Sequence, residues 1–146
     1  MKRILLLILI LVGVCFGVRA QEDLAIGAAF NELAVKQNVT EVVMGAGRLK
    51  KYHLSFFHSL EIKNPTPSEQ QRIETLLQSD VAQAIIHEEN GGHKLYELPS
   101  RKGLHRYIFY RCSGGTLVLI YIEGKASLKQ IKEQFLRVKS EECSAP

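Results

Sequence analysis

Histidine, carboxylate and thiol side chains are the first places to look for chemistry, and the densest group surrounds one glycine turn. His87, Glu88, Glu89 and His93 flank Asn90-Gly91-Gly92. A two-residue turn at Asn90-Gly91 places Glu88 opposite His93, within reach of a shared cation. Metal centres need three or four convergent ligands, and neither HExxH nor CxxC spacing occurs, so no metal or other cofactor is expected. The nucleophiles are as poorly supported. Cys112 follows Arg111, which could lower a thiol pKa, but His105 has the opposite strand parity and points to the other face. Ser113-Gly114-Gly115 reads as a hairpin turn, and no GxSxG motif is present. His58 falls on the apolar parity of its strand, as a hydrogen-bonded core residue would, whereas His53 belongs to the polar face. No catalytic residue is assigned, and an enzyme is not expected.

Two basic clusters could instead bind. Gly45-Ala46-Gly47 precedes Arg48, Lys50 and Lys51 but lacks phosphate-loop spacing, so it reads as a glycine turn with a solvated basic edge. Arg101, Lys102, His105 and Arg106, with Tyr107, Phe109 and Tyr121 nearby, form a candidate partner-binding edge for an acidic glycan, a lipid headgroup or an acidic partner. A plain charged loop explains the same letters.

The elements that position these residues follow from periodicity. Residues 22–37 read as a helix with Ile26, Phe30 and Leu33 on one face. Val39–Met44 reads as a strand closed by Gly45 and Gly47. From Tyr52 to Lys63 apolar and polar residues alternate, the mark of a long half-buried strand. Thr66, Pro67 and Glu69 announce a second helix through a capping box with proline at its first position. Strands are expected up to Glu89, from His93 to Leu98 with Pro99 as the stop, from Leu104 to Cys112 and from Thr116 to Glu123. Ser127 and Gln130 form another capping box, which opens the last helix; a polar tail begins near residue 139. The expected fold is α+β: one antiparallel sheet of about five to six strands packed with two to three helices, mainly on one face.

In the pair Leu104–Cys112 and Thr116–Glu123 both parities are apolar, so these strands should be covered on both faces. A helix of the chain itself, a bound ligand or a second copy in a homodimer could supply the second cover. An apolar cavity under Tyr107, Phe109, Leu119 and Tyr121 would suit a small apolar-ligand carrier.

The 146 residues fit a single domain, and 46% hydrophobic with 23% charged residues excludes collagen-like, coiled-coil and disordered classes. Lys2 and Arg3, the apolar stretch from Ile4 to Val18 and the Val18-Arg19-Ala20 exit describe a cleaved signal peptide over residues 1–20, with a domain over 21–146. The stretch of about 15 residues is short of the roughly 20 that span a bilayer. Val14 before Cys15 is not the small residue that lipidation wants. Cleavage removes Lys2, Arg3 and Arg19 and no acid, so formal net charge falls from +4 to +1. A nucleic-acid partner then loses its electrostatic footprint. Export, to the periplasm or beyond, leaves Cys112 and Cys143 where a disulfide can persist. Its loop of about 30 residues would contribute ~3–4 kcal/mol in the chain-entropy model. A buried Cys112 with an unbonded Cys143 fits the sequence equally well.

Leu49-Lys50-Lys51-Tyr52, Phe57-His58-Ser59-Leu60, Arg106-Tyr107-Ile108-Phe109-Tyr110 and Leu119-Ile120-Tyr121-Ile122-Glu123-Gly124 carry a resemblance. The chain resembles the small exported families of unknown function found in anaerobic gut Gram-negative bacteria. That resemblance implies export and one α+β domain; it brings no activity and no functional residues. The expected role is a non-enzymatic module that binds an envelope protein or envelope component, with a small hydrolase as the competing class.

Overall fold

A computed structural model describes residues 23–136 other than 91, without the side chains of 87, 90, 135 and 136. Residues 1–20, where a signal peptide is expected, the tail from about residue 139 and Cys143 lie outside the described residues, so the expected Cys112–Cys143 pairing has only one of its ends, the half-buried Cys112, within them.

The elements run α1 (Ile26–Leu33), β1 (Val39–Gly45), α2 (Ala46–Leu49), β2 (Leu54–Lys63), α3 (Pro67–Asp80), β3 (Ile85–Asn90), β4 (His93–Arg101), β5 (Leu104–Ser113), β6 (Thr116–Gly124) and α4 (Leu128–Ile131). A π-helical turn, Lys132–Leu136, continues α4. The strands form one antiparallel sheet in the order β1-β2-β6-β5-β4-β3. The class is therefore α+β with a single sheet.

Local chemistry accounts for most boundaries. Both capping boxes form: the Glu69 N–H donates to Thr66 Oγ1, and the Gln130 N–H to Ser127 Oγ. The Gly114-Gly115 and Lys102-Gly103 turns place both central residues at positive φ, matching the twist of the strands they join. Pro99 does not end β4. With no N–H to give the ladder, it falls in a register irregularity between Leu98 and Arg101, and the strand resumes beyond it. The β3–β4 turn differs from expectation by one residue. Asn90 pairs with His93, and Glu88 faces Leu95 instead of His93. The Gly92 carbonyl also accepts from the Cys112 N–H, and a Cβ on Gly92 would stand 2.7 Å from the Cys112 carbonyl oxygen.

The core has two halves, one on each face of the sheet. On the first face α1 and α3 cover Leu60, Ile62, Tyr96, Leu98, Ile108, Tyr110, Leu117, Leu119 and Tyr121. On the second, Leu49 of α2 and Ile131 of α4 pack on Leu54, Phe57, Tyr107, Val118, Ile120 and Ile122. Helices therefore lie on both faces rather than mainly on one. Among the described residues there are four α-helices instead of two or three, and α2 is the unexpected one. A single turn is too short to show a helical period, and it forms because Leu49 buries its side chain.

The doubly apolar strands are thus covered by the chain's own helices. Register also corrects the sorting of their side chains. Ile108 faces Tyr121 and Tyr107 faces Ile122, so Tyr107 and Phe109 lie on the second face while Leu119 and Tyr121 lie on the first. An apolar cavity uniting those four does not form. In β2 a bulge between Leu54 and Phe56 turns Leu54 to the second face, while Phe56, His58, Leu60 and Ile62 keep the first.

Candidate functional site

An open cleft of about 420 Å³ lies where the β1–β2 connection meets the end of β6. Ala46, Gly47, Lys50, His53, Leu54, Ser55, Leu104, Gly124 and Lys125 line it. Its local folding starts from Leu49, which drops into the second-face core and leaves Lys50 exposed. A 3-10 turn, Lys50–Tyr52, then delivers the chain to His53, which adopts the left-handed conformation with φ 57°. Non-glycine residues hold that conformation only where the surroundings impose it. Here main-chain hydrogen bonds do so. The His53 N–H donates to the Lys50 carbonyl (3.1 Å), and the His53 carbonyl accepts from the N–H groups of Lys125 (2.8 Å) and Ala126 (3.1 Å).

The same bonds clamp the two lips of the cleft together without side chains. Gly124 allows the approach, because a Cβ there would stand 2.6 Å from both the His53 carbonyl oxygen and Leu54 Cα. Three basic side chains, Lys50, His53 and Lys125, stand on the wall, with Leu54, Leu104 and Ala46 as apolar surface; no Asp or Glu is among the lining residues. Ammonium and imidazole N–H donors with no competing carboxylate suit an anionic group, since charge-assisted hydrogen bonds to an anion are the strong ones. Ser55 is the one hydroxyl on the wall, and its Oγ donates to the Glu123 carbonyl (3.0 Å) rather than to the imidazole. The wall offers no activated nucleophile.

The Arg101–Arg106 edge is arranged differently. Arg106 is buried, donating from Nε to Tyr121 Oη (3.1 Å) and from Nη2 to Asp23 Oδ2 (2.9 Å). Arg101 Nη1 donates to the other Asp23 oxygen (2.9 Å), and Tyr121 Oη donates to Glu123 Oε2 (2.7 Å). Burial works against the Arg106 charge, and Tyr121 and Asp23 more than offset it, leaving its pKa raised. Asp23 therefore ties both arginines inward. Tyr107 and Tyr121 are buried on opposite faces, and burial pushes the Tyr107 hydroxyl up to about 12. Lys102 sits in the left-handed turn, and His105 faces Glu97 across 3.6 Å. Of the predicted edge only Lys102 and His105 stand exposed; Phe109 is half-buried. Sorting by position in the chain missed this, because Asp23 precedes its partners by about 80 residues.

His58 is a buried, bonded residue: it stacks on Phe30, and its Nε2 shares a 2.5 Å hydrogen bond with Glu41. Burial lowers its pKa, against the raising effect of Glu41. The unfolded chain therefore binds a proton more readily than the folded one. The stability His58 contributes is complete above about pH 6.5 and is lost as pH falls through the lower folded value. His58→Gln is expected to flatten that part of the stability–pH curve, as read by urea unfolding at a series of pH values between neutral and mildly acidic.

Among the described residues no group of three or more His, Cys, Asp or Glu could hold a metal ion. No helix there is long and apolar enough to cross a membrane. Fold and cleft together define a small α+β domain with an acid-free basic cleft at one end of its sheet. The chain belongs to a family of unknown function, DUF6108, whose model matches residues 13–135. No curated protein matches it.

Proposed function

We propose that this protein is an exported, periplasmic, non-enzymatic module of a Gram-negative envelope, and that it binds an anionic group of an envelope protein or envelope component. The observation carrying this reading is the wall of the cleft, where Lys50, His53 and Lys125 meet without a carboxylate. General acid–base or nucleophilic catalysis needs a titratable pair or an activated nucleophile, and the donors present suit binding instead. The apolar-carrier alternative drew on one face bearing Tyr107, Phe109, Leu119 and Tyr121, and register divides that set between two faces. Export rests on the basic, apolar and small-residue pattern of residues 1–20.

Both parts have a test. Intact mass of the protein from the periplasmic fraction should correspond to a chain beginning at Gln21; an uncleaved chain in the cytosol would overturn export. For binding, thermal melting with phosphate, sulfate and citrate should show stabilisation of the purified protein. Lys50→Glu combined with Lys125→Glu should remove at least about nine-tenths of that affinity, since opposite charges then line the wall. An anion response that survives the double reversal would place the site elsewhere.

A further inference from the structure

The two outer strands of the sheet are protected very differently. An exposed strand edge presents unpaired N–H and C=O groups, and proteins usually blunt it with charge, proline or a bulge. β3 carries such devices: a bulge between Ile86 and Glu88, and adjacent Glu88 and Glu89, with Glu88 paired to Lys132 at 2.6 Å. β1 carries a single charge and neither a proline nor a bulge. Val39–Gly45 holds no proline, lysine or arginine, and its seven residues pair with β2 in unbroken register. Its one charge, Glu41, is bonded to His58. Val42 and Val43 are 41% and 54% exposed, and among the described residues no strand pairs with the outer edge.

We infer that β1 is a homodimer interface, pairing antiparallel with β1 of a second copy about a twofold axis at Val42. This surface goes beyond the cleft and does not depend on it. The sequence Val-Thr-Glu-Val-Val-Met-Gly is self-complementary in that register. Val42 meets Val42 of the second copy, Glu41 meets Val43, and Thr40 meets Met44, so no like charges oppose. Facing pairs in an antiparallel ladder share a sheet face, so the valines at the axis meet on one side. An isologous contact of this kind uses the same patch twice and closes at two copies.

The test is light scattering over a hundredfold concentration range, on protein expressed with its own leader and purified from the fraction that holds it. The wild type is expected to dimerise. Val42→Lys places two ammonium groups face to face and should weaken association at least about tenfold. Val43→Lys places each new lysine opposite Glu41 of the second copy and should leave the dimer intact. Both side chains are exposed, and an unchanged melting temperature will show that each variant folds. Ile86→Lys on β3 is the control and should leave the mass unchanged. A wild type that is monomeric throughout overturns the inference, as does a dimer that survives Val42→Lys. Dissociation by Val43→Lys overturns the Val42-centred register.

Discussion

Leu119→Ala is expected to lower the unfolding free energy by about 3–5 kcal/mol, the range for emptying a well-packed site by three heavy atoms. Leu119 has no exposed surface and lies on β6, a central strand, between Leu60 of β2 and Tyr110 of β5. Few neighbours can collapse into the space. The strands on either side are held by their ladders, and Tyr110 is tied to Glu74 of α3 through its hydroxyl (2.9 Å). Ile120→Ala should cost about 2–4 kcal/mol, because Ile120 is the next residue on β6 but belongs to the second-face core. Urea unfolding measures both. A large loss at Leu119 with almost none at Ile120 would mean that α4 does not cover the second face.

Gly124→Ala is expected to cost on the order of 3 kcal/mol, although it adds one methyl group. The Cβ would meet the His53 carbonyl oxygen and Leu54 Cα at 2.6 Å, and neither is the movable end of a side chain. Relief requires β2 and β6 to separate at this end, which strains the bonds from Lys125 and Ala126 to the His53 carbonyl. The expected effect is double: lower stability in urea, and a weaker response to the anions proposed to bind the cleft, at a temperature where the variant remains folded. Gly47→Ala is the comparison, since a Cβ at Gly47 has no atom within 4 Å. A Gly124→Ala protein as stable as the wild type would show that the two lips of the cleft are not packed together.

Short-range chemistry was legible residue by residue. Thr66-Pro67 with Glu69 and Ser127 with Gln130 marked their helix starts, because a capping box is satisfied within four residues. Alternation exposed the long strand of β2, and glycine pairs marked the hairpins that make the sheet antiparallel. Composition and pattern therefore determined an α+β domain with strands apolar on both sides. His58 was legible as a core residue for the same reason: its parity placed it among Phe56, Leu60 and Ile62.

What covers those strands, and from which side, only the tertiary structure decided. Whether Tyr107 shares a face with Ile122 or with Tyr121 depends on register, and a one-residue shift in register inverts every facing pair. The first helix is also shorter than its apolar pattern. Its N-terminal N–H groups at Ala25 and Ile26 find their acceptors in Asp80, at the far end of α3, so the partner that stops the helix is distant in sequence. The same distance hid the cleft. Lys50, with Arg48 and Lys51, read as a solvated basic edge after the Gly45-Ala46-Gly47 turn, and His53 as part of a polar strand face, until the β2–β6 ladder brought Lys125 across from Lys50 and His53. It equally concealed that Arg101 and Arg106 are satisfied by Asp23. Residue types and local spacing give each segment its conformation through bonds a few residues long. Pairing of segments some 70 residues apart depends on burial and register, and those are settled only when the whole sheet closes.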